Sequence, residues 1–313
     1  MSDKAATRFG FYQGLVALAE EKKDVYALDA DLAKTTGSEA FRKAFPDRYI
    51  DVGIAEQNMI GIAAGLSRIG LVPYCSSMAV FAVGRAYEII RNAVAYSGLN
   101  VKIIGSHGGI TAAGDGGTHQ AVEDIAAMRS IPGMVVLQPC DSNQAQKMAK
   151  LMYDHKGPVY IRTCREPVEN ITRVEDEIEI GKAQVIKEGK DLAIIATGMM
   201  TILAHRALEE LKEKGIDASL INIHTIKPLD KDGINREVKK CGKKVLVLEE
   251  ANSIGGLVEA VAATLVEEDG VKFSYIAIDD KFGQSGKTDE LLAFYGITKE
   301  NIVAKAIEVA NRK

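Results

Sequence analysis

Short apolar runs alternate with longer amphipathic stretches through the first half of the chain. The apolar runs at 25–28, 71–75, 101–105, 135–137 and 159–162 predict strands. Helices are predicted at 8–20, 80–95 and 123–129, and in a stretch ending at Tyr153 that Asp141 or Ser142 can cap. This alternation is typical of a mostly parallel sheet that helices cover on both faces.

The pattern changes in the middle of the chain and then resumes. Residues 171–190 contain clustered charges and no long periodic element, which predicts a linker. Strands are predicted at 192–196, 218–223, 245–248 and 273–278, with helices at 201–214 and 257–267. We therefore expect an α/β protein of two domains. Residues 1–170 form the first, with a mostly parallel sheet, and residues 191–313 form a second, smaller α/β domain.

Composition narrows the class of protein. The chain has 313 residues and a hydrophobic content of 47%, enough for two full cores. Its formal charge of −4 indicates no nucleic-acid partner. No stretch approaches the roughly 18 uncharged apolar residues of a membrane helix, and no signal peptide is expected. The four cysteines form no metal-ligand spacing and are expected to be reduced thiols in the cytoplasm.

One element places an acidic residue between a strand and a helix. An apolar strand pattern runs into Gly53, and a helical spacing begins near Met59, so Glu56 lies in the first helical turn. In open α/β sheets, ligands bind at the carboxyl ends of strands, where this turn lies. Glu56 could merely complement the helix dipole. Because the following helix is almost uncharged and must be buried, we instead expect a poorly solvated carboxyl with a raised pKa, able to share a proton with a ring nitrogen.

A long glycine-rich loop, residues 106–118, follows the strand at 101–105. His107, Asp115 and His119 lie on this loop or just after it, and the glycines allow a ligand close approach to the backbone. Arg8, Arg162 and Arg165 are candidate anion ligands, because arginine binds phosphate through two parallel donors. Surface ion pairs are the alternative for these arginines.

Two glycine motifs have a simpler interpretation. Gly114-Asp115-Gly116 looks like the start of a metal–diphosphate motif, but that motif needs a paired asparagine downstream and only Asn143 is near that distance. We therefore predict no metal site in this chain. Gly255-Gly256 opens a helix after a strand and could hold an anion. A tight turn explains the same pair equally well.

Several strings in order along the chain resemble the transketolase family. They are VGIAEQNM at 52–59, GSHGG at 105–109, DGGTHQ at 115–120 and IRTCR at 161–165, with ATR at 6–8 and DADLA at 29–33 in agreement. The resemblance runs from about Thr7 to the end of the chain. It covers the pyrimidine-binding domain and the C-terminal domain but not the domain that binds diphosphate and metal. The chain therefore resembles the C-terminal subunit of a split transketolase.

The resemblance implies a set of residues around thiamine diphosphate. Glu56 matches the glutamate that bonds the aminopyrimidine ring and promotes loss of the thiazolium proton. Phe81 matches an aromatic residue that stacks on that ring, and Met78 stands where a second aromatic residue is often found. Asp31 matches an acid near the cofactor and the subunit contact. His119 matches a residue beside the cofactor and the reacting carbonyl.

It also implies a set of substrate ligands. Arg8, Thr35, His107 and Arg165 match the residues that hold the sugar phosphate, and Asp115 matches the residue that binds the C2 hydroxyl. The activity implied is transfer of a two-carbon ketol unit between ketose and aldose phosphates in the pentose phosphate pathway. The metal, Mg²⁺ or Ca²⁺, would be held by an N-terminal transketolase subunit, and we expect self-association of this chain within an α₂β₂ complex.

Three alternatives remain at this point. Deoxyxylulose-phosphate synthase and the beta subunit of two-oxoacid dehydrogenases share parts of these motifs. From another class, a non-catalytic partner could keep the same fold. The presence of all the candidate residues around Glu56 and His107 argues against that last alternative.

Overall fold

The structure is a computed structural model that describes residues 4–312. It confirms the predicted α/β class, with two mostly parallel sheets formed one after the other along the chain. In the first part the strands are β1 (Lys4–Ala5), β2 (Val25–Asp29), β3 (Tyr49–Asp51), β4 (Val72–Met78), β5 (Lys102–Ser106), β6 (Val135–Leu137), β7 (Val159–Arg162) and β8 (Val168–Glu169). The helices are α1 (Thr7–Glu21), α2 (Ala33–Thr36), α3 (Glu39–Ala44), α4 (Glu56–Arg68), α5 (Ala79–Gly84), α6 (Tyr87–Ile89), α7 (Asp124–Ser130) and α8 (Ser142–Asp154).

The second part contains its own strands and helices. The strands are β9 (Gln184–Lys187), β10 (Leu192–Ala196), β11 (Ala218–Asn222), β12 (Thr225–Lys227), β13 (Lys244–Asn252) and β14 (Lys272–Ile278). The helices are α9 (Met199–Glu213), α10 (Lys231–Lys240), α11 (Leu257–Leu265), α12 (Thr288–Phe294) and α13 (Lys299–Ala310). The sheet order here is β14-β13-β10-β11-β9, in which β9 is antiparallel and the other strands are parallel.

The first sheet has the order β12-β6-β7-β5-β4-β2-β3, so its edge strand β12 comes from the second part of the chain. That strand runs antiparallel to β6, and all other pairs in the sheet are parallel. One apolar cluster also includes residues of both sheets, among them Ile103 and Val247. The two domains are therefore joined in two ways. Strand β12 of the second part pairs with the first sheet, and the two sheets share an apolar core.

Helix α1 packs closely against α8 across one face of the first sheet. Gly10 and Gly14 permit this approach, because a Cβ at Gly14 would lie 2.0 Å from the carbonyl oxygen of Gln146. The first turn of α1 is fixed by Thr7, whose Oγ1 accepts a hydrogen bond from the amide of Cys164 at 2.8 Å. This packing carries Arg8 to the end of β7.

The structure differs from the sequence-based expectations in several places. The single helix predicted at 80–95 is wrong: α5 ends at Gly84, α6 is short, and residues Ile90–Ala95 form a π-helical turn. The backbone leaves helical geometry at Ala86, whose φ is −103° and ψ 7°. The stretch 171–190 contains strand β9, which pairs with β11. Helices α12 and α13 were not predicted. Asp141 caps α8 as expected, accepting from the amide of Gln144 at 2.9 Å.

No helix within residues 4–312 is both long enough and apolar enough to cross a membrane.

Candidate functional site

The candidate residues gather at the carboxyl edge of the first sheet. Strands β2, β3, β4, β5 and β7 are parallel, so their carboxyl ends all lie at this edge. The elements that follow the strands carry the candidates Asp31, Glu56, Phe81, His107 and Arg165. Met78 is itself the last residue of β4. Topology alone thus brings residues that are far apart in sequence to one edge of the sheet.

Glu56 begins α4 and is 3% exposed, so the carboxyl is buried as expected. The helix as a whole is not buried, because Gln57, Asn58, Gly61 and Gly65 are exposed. The carboxyl does not lack a charged partner, however. Nη1 of Arg85 lies 3.0 Å from each of its two carboxylate oxygens, and Ser77 Oγ lies 3.5 Å from one of them. The carboxylate faces an open cleft of about 520 Å³ lined by 54–58 and Arg85.

Phe81 connects Glu56 with the glycine-rich loop. The guanidinium carbon of Arg85 lies 4.2 Å from the centre of the Phe81 ring, a cation–π contact. On the same ring, His119 packs edge to face with ring centres 5.1 Å apart and planes at 77°. Glu56, Arg85, Phe81 and His119 therefore form one continuous cluster.

The second cluster lies where the loop meets the end of β7. Nη1 of Arg165 lies 3.2 Å from an Asp115 carboxylate oxygen and donates to the carbonyl oxygen of Ala112 at 2.6 Å. Arg8 donates to the carbonyl oxygen of Arg165. Backbone carbonyls thus hold both guanidinium groups in place. The structure brings Arg8, Arg165 and Asp115 together.

His107 lies beside this cluster in a special backbone conformation. Its φ is 59°, in the left-handed region that favours glycine, and its ring is buried. Burial, followed by the nearby Arg8 and Arg165 guanidinium groups, lowers the pKa of His107 to about 3. The imidazole is therefore neutral at physiological pH. It can bind an anion only as a neutral hydrogen-bond donor.

The remaining candidates lie at the margins of these two clusters. Met78 is buried, next to α5. The amide of Asp31 donates to Asp51 Oδ1 at 3.1 Å, which joins it to the turn that precedes Glu56. Thr35 lies half-buried in the short helix α2. The contacts of Asp31 and Thr35 draw neither residue into the core of either cluster.

Two family models match most of the chain. They are the transketolase pyrimidine-binding domain, over residues 3–170, and the transketolase C-terminal domain, over residues 181–302. The chain belongs to the transketolase family.

Relatives of this chain include subunits of two-part transketolases. It is 44% identical over 299 residues to the 6-deoxy-6-sulfo-D-fructose transketolase subunit of Clostridium sp. (strain MSTE9), covering 96% of this chain and 92% of that protein. It is 36% identical over 308 residues to one of the apulose-4-phosphate transketolase subunits of Phocaeicola vulgatus, covering 98% of each. A solved structure described as a split gene transketolase, inactive beta4 tetramer, matches with a TM-score of 0.90 and 41% identity, covering 98% of this chain and 99% of that chain. These matches confirm the resemblance to the C-terminal part of a split transketolase.

The transketolase C-terminal domain contributes buried groups that the sequence did not single out. Glu249, on β13, accepts hydrogen bonds from the amides of Leu257 and Val258 at 2.7 and 2.8 Å. It therefore occupies the start of α11, where an anion at Gly255-Gly256 would bind, and the simple turn is the better interpretation of that glycine pair. Within residues 4–312, no group of three or more His, Cys, Asp or Glu side chains is arranged to hold a metal ion.

Arg85 is the main residue that the sequence reasoning missed. It follows Phe81 by four residues, and a helical spacing would have placed both on one face. The four-residue spacing of Phe81 and Arg85 is present in the sequence. The helix predicted at 80–95 does not, however, indicate which of its faces lies against Glu56. Arg85 keeps a helical backbone, and its amide donates to the carbonyl oxygen of Phe81 at 3.1 Å, so the four-residue spacing holds. The helix breaks one residue later, at Ala86, whose φ is −103° and ψ 7°.

Proposed function

We propose that this chain is the C-terminal subunit of a thiamine-diphosphate-dependent transketolase. The enzyme would move a two-carbon ketol unit from a ketose phosphate to an aldose phosphate. It would work in the cytoplasm, as in the pentose phosphate pathway. The observation that carries the proposal is the cluster in which one guanidinium, that of Arg85, contacts both a buried carboxylate, Glu56, and a half-buried aromatic ring, Phe81.

This pair fits one half of the cofactor. An aminopyrimidine needs a hydrogen-bonding carboxylate in its plane and an apolar wall against its face. Glu56 lines an open cleft of about 520 Å³, and the Phe81 ring lies against the guanidinium of Arg85, which also lines it. Arg85 shows that the cleft already accepts a flat, delocalised group in that position. When bound, thiamine diphosphate supplies the carbon nucleophile of the reaction.

The proposed roles come from the family resemblance, and the positions of the residues support them. Glu56 forms a hydrogen bond with the pyrimidine nitrogen and exchanges a proton with it. His119, in contact with Phe81, is close enough to the ring wall to contact the reacting end of the sugar. Arg165 and Arg8 bind the phosphate, and Asp115 binds a hydroxyl close to the reacting carbon.

His107 and the residues at the margins complete the proposed set. His107 donates a hydrogen bond as a neutral ring, because its pKa is lowered to about 3. Thr35 assists at the phosphate end. Met78 supports the ring wall formed by Phe81, and Asp31 lies near the cofactor edge and the subunit contact.

We assign the diphosphate and metal sites to a partner. The N-terminal transketolase subunit would supply the ligands for Mg²⁺ or Ca²⁺, and two copies of each chain would form an α₂β₂ enzyme. Support comes from relatives that are themselves named as subunits, and from the solved relative described as an inactive beta4 tetramer. That description fits a chain that associates with itself but needs a second subunit for activity.

Two chemical classes of terminal anion on the sugar fit the arginines, phosphate and sulfonate. The names of the two relatives refer to 6-deoxy-6-sulfo-D-fructose and apulose-4-phosphate. A sulfonate and a phosphate both present tetrahedral oxygens to arginine. Phosphate is our first choice, and a sulfonated ketose is the substrate to compare with it.

Reconstitution tests the proposal directly. The purified chain is assayed with thiamine diphosphate, Mg²⁺ and a ketose and aldose phosphate pair, alone and with the N-terminal subunit. We expect turnover only in the mixture, and none when the chain carries Glu56→Gln. Robust turnover by the chain alone would refute the two-subunit assignment. No ketol transfer by the mixture, with phosphorylated or sulfonated sugars, would refute the activity.

A further inference from the structure

The carboxyl edge of the second sheet is turned toward the first domain. The carbonyl oxygen of His224, just after β11, accepts from the amide of Gln138 at 3.0 Å. The amide of Asn252, at the end of β13, donates to the carbonyl oxygen of Val122 at 2.8 Å. The edge at which an α/β sheet usually binds ligands is thus packed against the end of β6 and against Val122, shortly after the glycine-rich loop. Side chains at this edge can therefore reach the loop itself.

Glu250 on β13 reaches the base of the loop. Its side chain is buried, and its Oε1 accepts a hydrogen bond from the amide of Thr111 at 2.8 Å. The same oxygen lies directly over Gly109, because a Cβ built at Gly109 would be 2.3 Å from it. Gly109 has a φ of 84° and donates to the carbonyl oxygen of Ala121 at 2.7 Å. The carboxylate therefore packs directly against the turn that follows His107.

Arg162 supports the same turn from the other side. Its buried side chain lies against Gly108, where a Cβ would be 2.0 Å from its Nε, and its Nη2 donates to the carbonyl oxygen of Ala121 at 2.8 Å. Neither Nε nor Nη1 finds a hydrogen-bond acceptor within the described residues. Its buried charge is balanced by Asp124, 3.4 Å away, and then by Glu250. Glu250 thus has two separable roles, as an acceptor for the loop and as a counter-charge.

The far end of the loop also contacts the second domain. Nε2 of Gln120 donates to the carbonyl oxygens of Ile110 and Ala113, each at 3.1 Å, and to that of Gln284 at 3.0 Å. A Cβ at Gly117 would be 2.4 Å from the carbonyl oxygen of Gly283. The second domain therefore contacts the loop at its base and near its end, on either side of Asp115.

We propose that Glu250, in the C-terminal domain, is a positioning residue that fixes the glycine-rich loop and so aligns His107 and Asp115 with the sugar. The effect on the sugar rests on the proposed transketolase function; the effect on the loop does not. A non-glycine residue with φ of 59° costs conformational energy and persists only when its surroundings hold it. Glu250 and Arg162 supply that support on both sides of the turn. The C-terminal domain is, on this view, a working part of the acceptor site.

Two substitutions separate positioning from charge. Glu250→Asp keeps the negative charge beside Arg162 but shortens the side chain by one methylene, so the bond to the Thr111 amide is lost. Glu250→Gln keeps an acceptor of the same reach but removes the charge. Glu237→Asp is the matched control, since Glu237 is a buried acid in the same domain whose partners, Arg236 and Lys240, lie on its own helix.

The first readout is hydrogen exchange of the amides in residues 106–121, which needs no activity. We expect Glu250→Asp to speed exchange in this segment by roughly two- to tenfold, corresponding to loss of one hydrogen bond. Glu250→Gln and Glu237→Asp should leave it near the wild-type rate. Faster exchange in Glu250→Gln with a normal rate in Glu250→Asp would overturn the proposal, because Glu250 would then act only as a counter-charge. Unchanged exchange in both would overturn it as well.

The second readout uses the assembled enzyme with thiamine diphosphate and Mg²⁺. We expect kcat/KM for the aldose phosphate to fall roughly two- to tenfold in Glu250→Asp, with cofactor affinity unchanged and with recovery in Glu250→Gln, as loss of one hydrogen bond implies. An equal loss in Glu237→Asp would show a general stability effect and overturn the link to substrate. If the wild-type complex shows no ketol transfer, the proposed function fails, while the exchange experiment still decides whether Glu250 positions the loop.

Discussion

Arg85 holds both carboxylate oxygens of Glu56, with Nη1 at 3.0 Å from each. The same guanidinium lies 4.2 Å from the centre of the Phe81 ring. These are the two contacts that we assign to the aminopyrimidine of the cofactor, one to the carboxylate and one to the ring face. Arg85 therefore competes with the cofactor for Glu56. It must release at least one oxygen before a ring nitrogen can bind.

Replacing Arg85 tests this competition. Glu56 is buried but the Arg85 side chain is 49% exposed, so the pair contributes little, on the order of 0.2–1 kcal/mol. We expect Arg85→Ala to tighten thiamine diphosphate binding to the assembled enzyme by up to about fivefold, measured by calorimetry. Arg91→Ala, an exposed arginine on the following turn, is the control. A clearly weaker affinity in Arg85→Ala would mean that Arg85 helps to hold the cofactor.

Glu56→Gln tests the proton-handling role. The amide can still hydrogen-bond a ring nitrogen, but it cannot take up or release the proton at neutral pH. In the assembled enzyme, we expect exchange of the thiazolium C2 proton of the bound cofactor to slow by orders of magnitude. Exchange is followed by NMR after quenching in deuterated buffer. Glu88→Gln, which changes an exposed acid, is the control, and the C2 proton of its cofactor should exchange at the wild-type rate. An unchanged rate in Glu56→Gln would remove Glu56 from the chemistry.

The position of Glu56 could be predicted because it depends on local pattern. A strand, a glycine and an almost uncharged helix in succession place the first helical residue at the carboxyl edge of the sheet, and the structure finds Glu56 there, 3% exposed. The same reasoning placed His107 and Arg165 after β5 and β7. Positions of this kind follow from the order of elements, which hydrophobic periodicity reveals.

The partners of these residues could not be predicted, because they depend on contacts between distant segments. Glu250 meets Thr111 across 139 residues, and no local pattern indicates that contact. Strand β12 leaves the second domain to join the edge of the first sheet, which only the three-dimensional packing decides. The spacing of Phe81 and Arg85 is local and helical, but the contact of Arg85 with Glu56 spans 29 residues and depends on how α5 packs.

Arg165→Ala tests the phosphate site. Arg165 is 37% exposed and is already oriented by the carbonyl oxygen of Ala112. It therefore loses little side-chain conformational entropy when it binds an anion. Loss of a charge-assisted bond costs about 1.5–3 kcal/mol, or roughly ten- to a hundredfold in affinity. We expect KM to rise by that factor for a phosphorylated acceptor and to change little for the unphosphorylated sugar. Arg173→Ala, an exposed arginine outside the site, is the control. Equal losses on both acceptors would exclude a phosphate role.

Glu249 links the stability of the chain to pH. Burial raises the pKa of Glu249 to about 7, and the amides of Val258 and Leu257 lower it only in part. Because the folded state binds this proton more tightly than the unfolded chain does, stability is greatest below the ordinary pKa of glutamate and declines as the pH rises toward 7.

Urea unfolding of the wild type and of Glu249→Gln across pH 4 to 8 measures this contribution. The free energy of unfolding of the wild type, relative to the variant, should fall over that window by up to about 3 kcal/mol, at about 1.4 kcal/mol per pKa unit, and then level off above pH 7. Glu213→Gln, at the exposed end of α9, controls for the loss of one charge. A difference that stays constant with pH would show that folding does not raise the pKa of Glu249, and one that grows as the pH rises would show that its two amide bonds outweigh its burial.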